Sequence, residues 1–190
     1  MRTNNYYAAL KSLMYCYENT GIEAIDYTGS SKTLYNYNWS ASLYNGNAAS
    51  AIFPTSLFNA DSAPDIKVMA AFTSELSGTS YGVRFGTGTA EPTVNDYKLS
   101  GTLITKISIL STSSKEVTFT DNGAVVVTTY DVKNISGAEL TIGEIGLFAC
   151  MNYNISLKSS FLIDRTLLDE PVVIPANGFA QIRYTLSYTF

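Results

Sequence analysis

From Tyr81 to the last residue, apolar and polar residues alternate in short runs broken by turn signals, and no intervening stretch repeats at helical spacing. A period of two puts successive side chains on opposite faces of a strand, so each run offers one apolar face for burial. The last run is the cleanest, with Ile182, Tyr184, Leu186, Tyr188 and Phe190 in strict alternation. Residues 81–85 form a shorter alternating strand, and in residues 103–110 the spacing places Leu103, Thr105, Ile107 and Ile109 on one face. Asp121-Asn122-Gly123, between runs at 116–120 and 124–132, is a strong hairpin signal. A strand over 140–149 follows the turn Asn134-Ile135-Ser136-Gly137. Residues 155–168 are apolar at mixed spacing and read as a strand, a bend and a second strand. Val172-Val173-Ile174-Pro175 then enters the turn Ala176-Asn177-Gly178. Short strands at this cadence argue for an antiparallel sandwich or barrel. The fold expected is mainly β, a jelly-roll-like antiparallel β-sandwich with an N-terminal helix.

That helix is predicted over residues 5–18, where Tyr6, Tyr7, Leu10, Leu13, Met14 and Tyr17 recur at spacings of three and four and Gly21 closes the pattern. Its apolar face either packs on its own domain or docks on a neighbouring subunit. From residue 29 to residue 63 the chain turns to Ser, Asn, Gly, Ala and Tyr with almost no charge. Tyr35, Tyr37, Trp39 and Tyr44 are candidate contact aromatics there, because rigid amphipathic rings between Asn and Ser suit recognition of a protein or stacking on a sugar. The alternative is a strand pair whose aromatics pack beneath a loop. The chain thus divides into residues 1–63, a helix and a Tyr/Asn-rich contact segment, and residues 64–190, the β-sandwich domain.

Composition narrows the function. With 190 residues there is room for one domain, and 13% aromatics exclude disorder over most of the length. Only 15% of residues are charged, so Ser, Thr, Asn and Tyr must supply the polar surface. Twelve basic against sixteen acidic residues give a net charge of −4, which leaves no cationic footprint for nucleic acid. No apolar run approaches the roughly 20 residues that cross a bilayer, and residues 1–5 lack the apolar core of a leader. The expectation is a chain made in the cytoplasm with no membrane partner. Cys16 and Cys150 are far apart and read as two buried thiols. The chain has no histidine, which removes the commonest general base and metal ligand and with them any Ser-His-Asp or Cys-His arrangement. Carboxylate pairs, Lys or Tyr as acid or base, and an all-oxygen cation site remain.

Gly86-Thr87-Gly88-Thr89-Ala90-Glu91-Pro92 invites a phosphate-loop reading, which fails because neither GxxxxGK[ST] nor GxGxxG is present and Pro92 blocks a helix start. A reversing loop is expected, its glycines supplying positive φ and its Thr hydroxyls bonding local backbone. Asn38, Asn134 and Asn154 begin N-x-S patterns of the kind an Asn- and Ser-rich chain produces by chance. Glu144, Asp164, Asp169 and Glu170 are the candidates for a glycosidase carboxylate pair, and Asp61, Asp65, Asp121 and Asn122 for a cation site, but no spacing supports either. Glu144 sits in the apolar run Ile142-Gly143-Glu144-Ile145-Gly146-Leu147-Phe148, so it either faces solvent or pairs with a base such as Arg165 or Arg84, in a structural role.

In order along the chain come Val83-Arg84-Phe85-Gly86-Thr87-Gly88-Thr89-Ala90-Glu91-Pro92, Asp96-Tyr97-Lys98-Leu99, Glu144-Ile145-Gly146-Leu147-Phe148, Leu162-Ile163-Asp164-Arg165, Pro171-Val172-Val173-Ile174-Pro175-Ala176-Asn177-Gly178 and Ile182-Arg183-Tyr184-Thr185. This series resembles small β-sandwich proteins of bacteriophage tails, baseplates and head-tail collars, with a GTGT-x-P loop, D-x-x-L, an E-x-G-L-F strand, an arginine-bearing strand and a V-P-x-G…Y-T ending. The resemblance covers residues 80–190. It implies a virion structural protein with no enzymatic activity and no cofactor or metal, assembling as a homo-oligomer or on other virion proteins. Gly86, Gly88, Pro92, Glu144 and Arg165 are then structural. A receptor- or carbohydrate-binding module that meets a host-surface glycan and a capsid decoration protein are the alternatives. Low charge, Tyr-rich surface and edge strands able to pair between copies suit an assembly role on physical grounds as well.

Overall fold

The computed structural model describes residues 1–8, 22–34, 82–152 and 158–189. They form β1 (Ile22–Ile25), β2 (Ser31–Leu34), β3 (Gly82–Gly86), β4 (Ile107–Thr120), β5 (Gly123–Asn134), β6 (Leu140–Asn152), β7 (Lys158–Ile174) and β8 (Phe179–Thr189), with one helical turn at residues 4–8. Every pairing is antiparallel: a β1-β2 hairpin, a sheet ordered β3-β6-β7 and a sheet ordered β4-β5-β8. The fold is therefore mainly β with antiparallel sheets and a short N-terminal helix. One apolar cluster takes Phe85, Ile145 and Phe161 from the first three-stranded sheet and Ile107, Val132, Ile182 and Tyr184 from the second. Two sheets that share a core are consistent with a sandwich.

β8 follows its sequence period: Ile182 and Tyr184 are buried, Leu186 is half-buried, and Arg183, Thr185 and Ser187 are exposed. Asp121 and Asn122 are the two turn residues joining β4 to β5, because Thr120 pairs with Gly123. The turn at 175–178 joins β7 to β8, which lie in different sheets, and Asn177 takes the left-handed conformation there (φ 59°).

Other expectations change. Residues 158–174 are one strand with no dividing bend, and residues 159–165 are buried without interruption. Phe161 and Ile163 enter the main core, while Leu162 joins Leu99 and Phe148 in a second cluster. A strand covered on both faces loses its two-residue period, which is the source of the mixed spacing. The alternation read over 103–110 also breaks: Ile104 is buried, Leu103 is half-buried and makes an isolated bridge to Gly86, and the strand starts at Ile107. In the helical turn Asn5 and Ala8 are buried and Tyr6 packs at the core margin, whereas Tyr7 is 53% exposed and lies off the predicted face. The rest of that predicted helix lies outside the described residues.

Two irregularities in the β6–β7 register decide which way the charged residues point. Leu147 pairs with Asp164 and Phe148 with Leu162, so Ile163 is an extra residue on β7. Without it, Arg165 would share a face with the core residue Phe161. With it, Arg165 pairs with Gly146 on the outer face, and Asp164 turns inward to accept a hydrogen bond from the Tyr184 hydroxyl (2.7 Å). Nearer the end of the sheet, Ile142 pairs with Val172 and Glu144 with Leu167, which leaves Gly143 unpaired on β6 and residues 168–171 unpaired on β7; across this irregularity Ile142 faces the core and Glu144 reaches the same outer face as Arg165.

The remaining edge of β7 is taken by the first residues of the chain. Arg2 bridges Asp164 in antiparallel fashion, the Arg165 amide donates to the Met1 carbonyl (2.9 Å) and the Thr3 amide to Ile163 (3.1 Å). The Arg2 guanidinium crosses to the Ser187 carbonyl on β8. Asn5, 3% exposed, exchanges hydrogen bonds with Ile25 on β1 (2.7 and 2.8 Å).

Candidate functional site

On the outer face of the β3-β6-β7 sheet, the carboxylate of Glu144 is wholly enclosed. Its Oε1 accepts from the amides of Gly88 (3.1 Å) and Gly101 (2.8 Å), and its Oε2 from the Ser100 amide (3.1 Å), the Ser100 hydroxyl (3.2 Å) and Arg165 Nε (2.6 Å). The Arg165 guanidinium spends its other donors on the same loop: Asp96 Oδ2 (2.6 Å), the Ala90 carbonyl (2.6 Å) and the Glu91 carbonyl (3.3 Å). Asp96 in turn accepts from the Thr93 amide and hydroxyl, both at 2.9 Å. A single acid–base–acid chain thus pins residues 88–101 to the sheet, with Leu99 closing the cluster against Phe148 and Leu162.

The glycines make room for this. A Cβ on Gly88 would lie 2.2 Å from Glu144 Oε1, one on Gly86 2.7 Å from the same oxygen, and one on Gly101 2.2 Å from the Gly88 amide nitrogen. Gly143 and Gly146 are equally tight, against the Gly88 carbonyl and the Leu99 side chain. Neither Gly86 nor Gly88 has positive φ, which corrects the expectation that conformation required them; close approach of loop and carboxylate is the reason. The Thr87 hydroxyl bonds not local backbone but the far side of the loop, accepting from the Thr102 amide (3.1 Å).

Burial pushes the Glu144 carboxyl up, but the Gly101 amide, Arg165 and the Ser100 amide together hold it below its ordinary value. Asp96 is likewise lowered, the Thr93 amide and Arg165 overcoming its burial. Burial would lower the Arg165 guanidinium, and Asp96 and Glu144 reverse that, so it is raised. All three groups are ionised at neutral pH, and Glu144 has no face open to a substrate. What this arrangement does chemically is fix a loop.

Arg165 is therefore the partner of Glu144; Arg84 instead donates to its own chain at the Val83 carbonyl (3.0 Å). Pro92 is half-buried in the pinned loop. Asp164 and Glu144 lie on opposite faces of the sheet, and Asp169 and Glu170 are exposed, so these four acids do not converge. Asp121 and Asn122 are exposed at the β4–β5 turn, and among the described residues no group of His, Cys, Asp and Glu could hold a metal ion. Asn134 is buried: its amide donates to the carbonyls of Ala138 (2.7 Å), Ile174 (3.1 Å) and Pro175 (2.9 Å), so its N-x-S pattern marks a structural clasp. Tyr35, Tyr37, Trp39, Tyr44, Cys16, Asn38, Asn154, Asp61 and Asp65 lie outside the described residues, as does the side chain of Cys150.

Ser100 and Gly101 escaped the sequence reading because they act through backbone amides; the only signal was a Ser-Gly pair shortly after Asp96-x-x-Leu99. No protein-family model, no curated protein and no solved structure matches the chain.

Proposed function

We propose that this chain is a non-enzymatic structural protein of a bacteriophage virion, assembling through subunit contacts at the tail, the head-tail collar or the baseplate. One observation carries the reading. The loop from Gly86 through Pro92 to Asp96-x-x-Leu99, the Glu144 strand and Arg165 are three stretches separated in sequence, yet they meet in one buried network whose work is mechanical. The Y-T ending bonds the opposite, core face of the same strand, where the Tyr184 hydroxyl donates to Asp164. Motif residues devoted to holding a loop on a sheet suit a building block better than a catalyst. Phe119 and Phe179, 77% and 66% exposed near opposite ends of the β4-β5-β8 sheet, supply apolar surface of the kind subunit contacts cover.

The test is mass spectrometry of density-purified virions from a culture carrying the gene, together with light scattering of the purified chain over a concentration series. The expected result is the chain at fixed copy number per particle and a defined oligomer or complex in solution. Its absence from purified particles overturns the reading.

A further inference from the structure

Between β3 and β4, residues 87–106 form no regular strand or helix, and loops longer than about 12–15 residues of this kind are usually functional. Glu144 grips its two ends at Gly88, Ser100 and Gly101. Between them the tip, residues 93–96, is a turn that Asp96 closes on Thr93, accepting the Thr93 amide (2.9 Å) and donating its own to the Thr93 carbonyl (3.2 Å). The N-terminal arm holds that tip directly: the Asn4 amide donates to the Val94 carbonyl (2.6 Å) and the Asn4 side chain to Asn95 Oδ1 (2.9 Å).

Arm and tip also share Arg165. Its backbone amide donates to the Met1 carbonyl (2.9 Å), while its guanidinium holds Asp96 (2.6 Å), so Asn4 closes a ring of contacts through arm, tip and β7. The arm is the releasable member of this ring. Residues 1–5 place no side chain in either apolar cluster, and the two that are buried, Thr3 and Asn5, are polar and bond the Leu162 carbonyl (2.5 and 3.2 Å). Apolar anchoring begins only with Tyr6 and Ala8. Release of residues 1–5 therefore uncovers backbone and polar groups and leaves the core and the Glu144 grip closed, as a local unit of low stability does.

We propose that residues 1–5 and the loop tip at 93–96 are the two halves of one latch, which opens and closes cooperatively on a fixed sandwich. Whatever draws the arm off β7 loosens the tip, and by linkage whatever opens the tip loosens the arm by the same factor. The Arg2 guanidinium bonds the Ser187 carbonyl on β8, so the latch connects the second sheet to the tip, where Val94 is 44% exposed. It operates within one chain and stands whether or not the chain assembles.

Hydrogen exchange of the full chain, followed residue by residue by NMR, tests it with one variant in each half. Thr3→Val removes a hydroxyl bonded to β7, and Thr93→Val removes one bonded within the tip to Asp96 (2.9 Å). The amides of Thr3 and Arg165 report the arm, those of Thr93 and Asp96 the tip, those of Gly88 and Gly101 the Glu144 grip, and that of Val132 the core. Each variant speeds exchange at all four latch amides by a common factor of about 3- to 10-fold, the worth of one hydrogen bond, and leaves Gly88, Gly101 and Val132 within about 2-fold of wild type. Acceleration confined to the substituted half, no acceleration at the tip in Thr3→Val, or acceleration of Val132 along with the rest overturns the latch.

Discussion

Replacing Glu144 by Gln keeps shape and removes charge, so it isolates what the carboxylate does. With the amide oxygen in the place of Oε1, the Gly88 and Gly101 amides keep their acceptor. The amide nitrogen then stands where Oε2 was, a donor facing the donors of Ser100 at 3.1 Å and Arg165 Nε at 2.6 Å. Arg165, 1% exposed, is left with Asp96 as its only charged partner among the described residues. Breaking one partner out of a buried ion pair costs about 3–5 kcal/mol, because the remaining charge stays desolvated. Against a total stability of ~5–15 kcal/mol that is a large fraction. At ~2–4 °C per kcal/mol for a chain of this size, Tm falls by roughly 6–20 °C. Urea unfolding followed by circular dichroism gives the same quantity as a lower midpoint at unchanged slope, and limited proteolysis shows new cleavage within residues 88–101. A loss below about 1 kcal/mol, or a loop as resistant as in wild type, refutes the reasoning.

Gly88→Ala drives a methyl into Glu144 Oε1 and the Ser100 hydroxyl (2.0 Å) and destabilises by ~3 kcal/mol or more, whereas Gly137→Ala meets nothing within 4 Å and stays within ~0.5 kcal/mol of wild type; thermal melts separate the two. Asn134→Ala removes the amide that the Ala138, Ile174 and Pro175 carbonyls share, although Ala138 keeps the Ser136 hydroxyl and Pro175 the Gly178 amide, and costs about 1–3 kcal/mol by urea titration; mass spectrometry after expression in a glycosylating host finds no glycan at Asn134. Glu144 and Asp96 sit below their ordinary values of 4.5 and 3.8, so the unfolded chain binds more protons as the medium turns acid. Their contribution is complete above about pH 4.5 and is lost as pH falls through the folded-state values; Tm is flat from pH 5 to 8 and drops below that window, less steeply in Glu144→Gln, and parallel curves for the two proteins would falsify the linkage.

How far the sequence reaches is clear from particular residues. The period of β8 and the turn at Asp121-Asn122 are local properties, set by which side chains one face buries and by turn chemistry, and both are legible. Glu144 is legible as an anomaly, because an acid in an apolar strand demands a partner, and Arg165 is the nearest basic residue of the pair considered. What stays hidden depends on the neighbouring strand. The extra residue Ile163 and the shift at Gly143 invert which residues face the core, and no pattern within β6 or β7 alone announces either. Gly88 was visible as a loop glycine, but its reason, an oxygen of Glu144 where a Cβ would stand, exists only after the chain has closed on itself. The tight integration of residues 1–5 with β7 is hidden for the same cause: its backbone bonds leave no side-chain signal, and the Thr3 hydroxyl and Asn5 amide meet the Leu162 carbonyl only once the chain has closed on itself.

The carboxylate makes three bonds to loop amides and one to the guanidinium, and this count separates two explanations of why the pair is there. A buried ion pair retained for its charge is often replaceable by apolar residues of similar volume at no loss, since desolvation offsets the attraction. Here that replacement fails for a different reason: Glu144→Leu with Arg165→Met orphans the amides of Gly88, Ser100 and Gly101, each costing ~1–3 kcal/mol where water does not reach it. Glu144→Gln with Arg165→Met keeps an acceptor for Gly88 and Gly101, losing that of the Ser100 amide, and shares with the first variant the loss of the Arg165 donors to Asp96, Ala90 and Glu91. The second double variant is therefore more stable than the first by at least about 2 kcal/mol, measured by urea titration, although neither contains the ion pair. Equal stabilities would mean that the pair is held for its charge and that the loop amides find water instead. The expected inequality identifies Glu144 as a backbone clamp, beside which Arg165 grips the same loop at Ala90, Glu91 and Asp96.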